Sequence, residues 1–217
     1  MIYIHLIDFI NANAQSEIMN YDNKRVAGLL FIVAAVQYVL AIVVSEAVYP
    51  GYSVGQQWMS DLGDWSKAGN YAAIFNISAI LYGLFIIAGA YYTQRVVKNR
   101  LFTFLLAMCG IGSVFSGVVA LNVSYLVHGF FGLFTFVFGA ASAVMSYRFE
   151  KKPLSYVSVV LGAVAFSAIV FTALGQRGIG SYLGLGLGSM ELLIIYPLLL
   201  CLFGYGAYLI GDSSETP

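Results

Sequence analysis

Lys24-Arg25 is followed by the run VAGLLFIVAAVQYVLAIVVSEAV, Val26 to Val48, whose single Asp, Glu, Lys or Arg residue, Glu46, lies near its far end. At ~1.5 Å per residue, a helix of this length is long enough to cross a hydrocarbon core of ~30 Å. Five further runs share that length and apolarity: Tyr71–Tyr92, Leu101–Leu121, Ser124–Ser146, Leu154–Leu174 and Leu187–Ile210. The pattern predicts an all-α polytopic membrane protein, a six-transmembrane-helix bundle. Alternate connections then lie on alternate sides. Lys24, Arg25, Arg95, Lys98, Arg100, Arg148, Lys151 and Lys152, eight of the ten Lys and Arg residues, fall on one side, leaving Lys67 and Arg177 on the other. The positive-inside rule places that basic side, with both termini, in the cytoplasm. The expected location is the cell membrane.

Composition agrees. The chain is 60% hydrophobic and 9% charged, with a mean hydropathy of +0.86, whereas soluble domains average about 25% charged residues. Six spans occupy more than half of the 217 residues, so any activity belongs to the bundle or its rim. A net charge of zero, with the basic residues at helix ends, argues against a nucleic-acid partner. Cys109 and Cys201 fall inside spans, where they act as small apolar packers, and no disulfide is expected.

Residues 1–20 read as an N-terminal extension, interfacial or produced by an upstream start, since Met19 opens MNYDNKR just before the first span. The extension lacks a basic leader and carries His5 and Asp8, which argues against a signal peptide. Residues 21–211 form the membrane domain, and 212–217 a cytoplasmic tail.

Tyr49, Tyr52, Trp58, Trp65 and Tyr182 fall at the outer boundary, and Tyr91, Tyr92, Tyr147, Tyr156 and Tyr208 at the inner one, as in an aromatic belt. Gly112-xxx-Ser116-xxx-Ala120, Ser113-xxx-Gly117 and Ser158-xxx-Gly162 mark close helix contacts. Pro197 within the sixth span frees the carbonyl near Leu193 and predicts a kink. Trp58, Leu62 and Trp65, at i, i+4 and i+7, predict a short interfacial helix that Gly63 weakens. The glycine-rich connection Gly175 to Gly188 lacks the spacing and the preceding strand of a dinucleotide fingerprint, and is expected to be flexible or partly re-entrant.

The ionisable residues of the spans share one depth. His128 lies about 28 Å from Tyr147, Glu191 about 28 Å from Ile210 and Glu46 about 30 Å from Val26, all at the outer boundary. Asp61, Asp64, Lys67 and Arg177 belong to the same layer. Ionisable groups at membrane depth usually face a protein interior or an aqueous cavity. Each also has a plain structural role. Glu191 suits a helix amino terminus, His128 an interfacial site, and Arg177 snorkelling or pairing with Glu191. Ser60 and Asp61 suit a turn cap, and Glu46 contact with headgroups.

Other chemistries fit poorly. Only His128 and the leader's His5 are available, so a three-histidine zinc site is excluded, and no spacing supports a mixed metal site. A triad of Ser60, His128 and a carboxylate lacks the Gly-x-Ser-x-Gly context. Asn122-Val123-Ser124 matches a glycan acceptor but abuts the membrane. With no phosphate loop, haem motif or thiol pair, no cofactor is expected.

Tyr49-Pro50-Gly51-Tyr52-Ser53, Met59-Ser60-Asp61-Leu62-Gly63, Asn76 and Gly83, then Gly188-Ser189-Met190-Glu191, Tyr196-Pro197 and Gly204 resemble the pattern of a multi-pass membrane family, the domain of unknown function numbered 998. The resemblance runs from Val26 through nearly the whole chain and implies six helices and a patterned outer loop, without an activity. It brings Asn76 into the set of ligand-binding candidates. The family often carries Arg directly after the glutamate; here Leu192 stands there, which makes Arg177 the replacement partner. The Ser60-Asp61-Leu62-Gly63 element is also similar to eukaryotic six-span proteins associated with lipid remodelling and autophagy.

The leading expectation is binding or modification of a lipid headgroup at the outer leaflet, in a shallow polar pocket. As an enzyme, Glu191 or Asp61 would be the base, His128 the proton shuttle and Arg177 the anion clamp. Ser60, Asn76 and Glu46 complete the ligand-binding candidates. Two other readings stand beside it: a small proton-coupled transporter gated by the sixth helix, and a non-catalytic subunit that docks on a membrane-protein partner.

Overall fold

A computed structural model of the protein describes residues 2–178 and 182–214. Helix α1 (Ile2–Val48) is followed by a 3-10 turn (Met59–Gly63), the single-turn α2 (Trp65–Ala68) and α3 (Ala72–Val97). Helices α4 (Arg100–Val118), α5 (Tyr125–Ser146), α6 (Leu154–Gln176) and α7 (Leu187–Ser214) complete the chain. Six helical segments are long and apolar enough to cross a membrane: Tyr21–Val48, Trp65–Val97, Arg100–Val118, Tyr125–Ser146, Leu154–Gln176 and Leu187–Asp212. No strand occurs among the described residues. Residues 2–20 share one continuous backbone helix with the first span, and residues 215–217 of the expected tail lie outside the described residues.

Local chemistry sets the helix ends. Asn99 starts α4, its side chain accepting the Phe102 N–H at 3.0 Å, and Ser124 starts α5 by accepting from Val127. Lys98 takes a left-handed conformation at the end of α3, its N–H donating to the Gln94 carbonyl, so that α3 stops one residue before α4 is capped.

The spanning helices form a ring in which each packs on its chain neighbour and α7 closes on α1; α7 also reaches α5 across the interior. Glycines permit the tightest crossings. A Cβ on Gly83 would strike the Gly110 carbonyl and one on Gly110 the Gly83 carbonyl, fixing α3 against α4; Gly28 and Gly206 do the same for α1 and α7. Gly112 likewise lies against α5, Gly117 against α3 and Gly162 against α5, so the small-residue motifs are contacts within the bundle. Phe31, Tyr82, Phe102 and Tyr205 fill the interior.

At one end, Lys24 and Lys151 both reach Asp212, at 2.6 and 3.0 Å, tying α1 and the α5–α6 connection to α7. This is the basic end. At the other, the long α1–α3 connection folds over the start of α7. Ser189 N–H donates to the Val54 carbonyl at 3.2 Å, and Gly188 lies against the carbonyls of Val54 and Gln57. A side chain at Gly188 would hold that backbone away, so this part of the glycine-rich segment serves a close approach; residues 179–181 lie outside the described residues.

The expected single helix through Trp58, Leu62 and Trp65 is instead two pieces. Asp64 breaks it, because its extended backbone and its side chain, which accepts the Ser66 N–H at 2.8 Å, restart the helix at Trp65. The apolar face is split with it: Leu62 is buried, Trp65 is exposed, and Trp58 turns inward to meet the Tyr182 ring edge-on at 6.0 Å. Trp58 and the buried Tyr49 thus leave the expected belt, whereas Tyr91, Tyr147 and Tyr156 are exposed at the basic end.

Candidate functional site: a cavity between the last three helices

A cavity of about 380 Å³ opens between α5 and α6 and runs inward to α7. That volume lies in the range of small-molecule sites. Its outer lining is largely apolar: Leu126, Phe130 and Leu133 on α5 and Ala173 on α6 are exposed and Ile169 is half-buried, with Tyr125 and Gln176 as exposed polar members. Leu126 is 81% exposed. Gly129 and Gly132 lie on the same wall, and a Cβ at either would meet no heavy atom within 4 Å. The α5 face is therefore hollow where an ordinary helix would present side chains.

At the inner end stands Glu191, on the first turns of α7. Its Oε2 accepts the Ser60 N–H at 3.0 Å and its Oε1 the Ser60 hydroxyl at 3.3 Å. Ser60 comes from the 3-10 turn, so the folded-over connection supplies the donors for a carboxylate in the bundle. Tyr38, Phe75 and Tyr82 close the inner wall, with Tyr38 stacked on Tyr82 at 4.9 Å and tilted against Phe75 at 5.8 Å. Trp58 and Phe136 add two more rings.

His128 lines the cavity from α5. Its Nδ1 lies 3.0 Å from the Ser116 carbonyl and 2.9 Å from the Val119 carbonyl, near the end of α4. Two carbonyl acceptors at one ring nitrogen require Nδ1 to carry the proton, which leaves Nε2 as the free acceptor of the neutral ring. The hydroxyls of Ser113 and Thr135, both on the wall, donate to the carbonyls of Ala79 and Phe131.

Of the residues expected at the site, Ser60, His128 and Glu191 meet around this one cavity; the others do not line it. Asp61 turns away, its Oδ2 accepting the Trp58 N–H at 3.1 Å and its Oδ1 the Lys67 ammonium at 2.6 Å. Asn76 donates to the Gly63 carbonyl at 2.8 Å and latches the connection to α3. Glu46 lies by Tyr52 and Tyr196, one carboxyl oxygen buried without a partner. Burial, then the nearby carboxylates of Glu46, Glu191 and Asp61, push the Tyr52 hydroxyl well above its ordinary range. Arg177 caps α6 from an exposed position and makes no ion pair with Glu191, whose oxygens face Ser60. No group of three or more His, Cys, Asp or Glu side chains suited to a metal occurs among the described residues.

Tyr38, Trp58, Phe75, Tyr82 and Phe136 were not among the expected site residues. Gly129-x-x-Gly132, two glycines on one helix face with nothing packed on them, was the available sequence signal for the hollow wall.

A family model described as a protein of unknown function, DUF998, matches residues 32–208. No curated protein and no solved structure matches the chain.

Proposed function

We propose that this chain, which belongs to the DUF998 family of proteins of unknown function, binds a lipid-like amphiphile in the cavity between α5, α6 and α7. Its polar head reaches Glu191 and Ser60, and its apolar part leaves through the α5–α6 mouth. The observation that carries this reading is the union of exposed apolar lining on two spanning helices with a carboxylate at the inner end of the same cavity. With the basic end cytoplasmic by the positive-inside rule, Glu191 lies toward the outer leaflet. Binding there requires neither Arg177 as an anion clamp nor Asp61 as a base.

A second reading, modification of the bound molecule, draws on the Ser60 hydroxyl at 3.3 Å from Glu191 Oε1. A carboxylate at that distance is placed to accept a proton from Ser60, or from a ligand hydroxyl that displaces it.

Native mass spectrometry of protein purified from its own membrane tests the binding reading. The variant Gly132→Phe fills the hollow wall, and Val160→Phe, at an exposed position of α6 outside the cavity lining, is the control. A bound lipid present in the wild type and the control and absent from Gly132→Phe is expected. Equal retention in all three would overturn it.

A further inference from the structure

The acidic and basic side chains of the cavity are one-sided. Glu191 is the only Asp or Glu on its wall, and no Lys or Arg lines it. The nearest candidates are engaged or absent, since Lys67 is held by Asp61 and Asp64 and Arg177 does not reach the wall. Glu191 itself makes no ion pair. An enclosed carboxylate held only by neutral donors lacks the counter-charge that usually accompanies burial.

The Ser and Thr hydroxyls and His128 are biased the same way, while Tyr38, Tyr82, Tyr125, Trp58 and Gln176 line the cavity with O–H and N–H groups of their own. Ser60 donates to Glu191, Ser113 to Ala79, Ser116 to Ser113 and Thr135 to Phe131. The proton on His128 Nδ1 faces carbonyls, leaving Nε2 as an acceptor. The protons of these groups are directed into the protein, so lone pairs are what they have left to offer a ligand. Around them stand Tyr38, Trp58, Phe75, Tyr82 and Phe136. Aromatic faces attract a cation that has shed its water.

From this convergence we infer that the headgroup bound at Glu191 is a protonated amine bearing N–H donors, attached to an apolar chain. The inference rests on the proposed occupancy of the cavity and adds its chemistry: the ammonium supplies the missing counter-charge, its N–H groups meet the acceptors, and the rings enclose it. A phosphate or carboxylate head would instead face Glu191 with like charge, with no cation on the wall to offset it. The same ammonium chemistry is carried by an aminolipid or by a free long-chain amine.

The chain has two tryptophans, and Trp58 alone lines the cavity. In a Trp65→Phe background in neutral detergent, Trp58 emission is titrated with dodecylamine, N,N,N-trimethyldodecylammonium, dodecanol and dodecanoate. Dodecylamine is expected to give a saturable change at least about tenfold tighter than dodecanol or dodecanoate, with the trimethyl compound weaker than the primary amine. Glu191→Gln should erase the preference for amine over alcohol. Equal binding of amine and alcohol, or of the primary and trimethylated amines, would overturn the headgroup assignment while leaving the cavity reading in place. No saturable response to any of the four would overturn both. The Trp65→Phe series with Glu191 intact decides the matter even where Glu191→Gln does not fold. A parallel titration with vesicles containing phosphatidylethanolamine or phosphatidylcholine separates the two sources: tighter response to the former identifies an aminolipid, and response to dodecylamine alone a free amine, each supporting the ammonium head.

Discussion

Glu191 and Ser60 lie 131 positions apart and are joined by two hydrogen bonds, from the Ser60 N–H at 3.0 Å and its hydroxyl at 3.3 Å. The pair fastens the α1–α3 connection to α7, and that connection brings Trp58 into the cavity wall. The pair therefore sets both the stability of the folded-over connection and the shape of the site.

Loss of that fastening should be measurable. Glu191→Ala leaves the Ser60 N–H without its acceptor and is expected to cost about 2–3 kcal/mol, against about 1 kcal/mol for Ser60→Ala, which keeps the backbone bond. Because the two side chains share one interaction, the double variant should be less destabilised than the sum. Thermal unfolding in detergent of the wild type, both single variants and the double variant checks this; strict additivity would mean that the contact contributes nothing.

The glycines divide into two kinds with opposite expected responses. Gly83 faces the Gly110 backbone carbonyl, so Gly83→Ala must push α3 from α4 and is expected to destabilise by about 1–3 kcal/mol. Gly129 faces open cavity, and Gly129→Ala should be neutral or stabilising by up to about 1 kcal/mol through helix propensity. Melting temperatures that fall equally for both would contradict the hollow wall.

Much of the fold was legible because each span carries its own signal. Runs such as Val26–Val48 are long and apolar enough to cross a membrane, and Asn99 and Ser124 announce the helix starts they cap. That His128 and Glu191 fall near the starts of their helices was legible too, since position along a helix is a count of residues, and both line one cavity. Which of the boundary residues converge was not. Ser60 meets Glu191 because the connection from Tyr49 to Asp64 folds over α7, and its path depends on backbone contacts at Gly188 and Ser189 that no periodicity reports. Arg177 ends α6 at an exposed position, while its expected partner faces Ser60. The aromatic wall was hidden for a related reason. Tyr38 and Tyr82 look like any aromatic residue of a span until the ring of helices places them side by side.

At the basic end, Glu150 gives a pH dependence of definite sign. It is buried in the α5–α6 connection with neither carboxyl oxygen in hydrogen-bonding geometry. Burial raises its pKa above the ordinary 4.5, and the nearby hydroxyls of Ser158 and Ser146 counter this only in part. Between the ordinary value and the raised one, the folded protein keeps a proton that the unfolded chain has released, so stability falls as pH rises through that window. Below it the group is protonated in both states and the penalty disappears. Glu150→Gln is therefore expected to melt higher than the wild type at neutral pH, with the difference closing toward pH 4.5 and below. A difference independent of pH would show that Glu150 does not titrate differently on folding.

Asp61 offers the test of action at one remove. Its side chain is 5% exposed and holds the Trp58 N–H and the Lys67 ammonium, yet it does not line the cavity. Removing it should free the turn that carries Trp58, Met59 and Ser60, three residues that do line it. Lys67 is 46% exposed, so its ion pair is well screened and Lys67→Ala is expected to cost about 1 kcal/mol or less. Asp61→Ala is expected to cost more, because the Trp58 N–H loses its acceptor as well. It should also weaken amphiphile binding without changing the preference for amine over alcohol, since Glu191 and the rings remain. The Trp58 titration reads both effects at once: a uniform loss across the four dodecyl compounds assigns Asp61 a positioning role, whereas selective loss of amine binding would place its carboxylate at the headgroup.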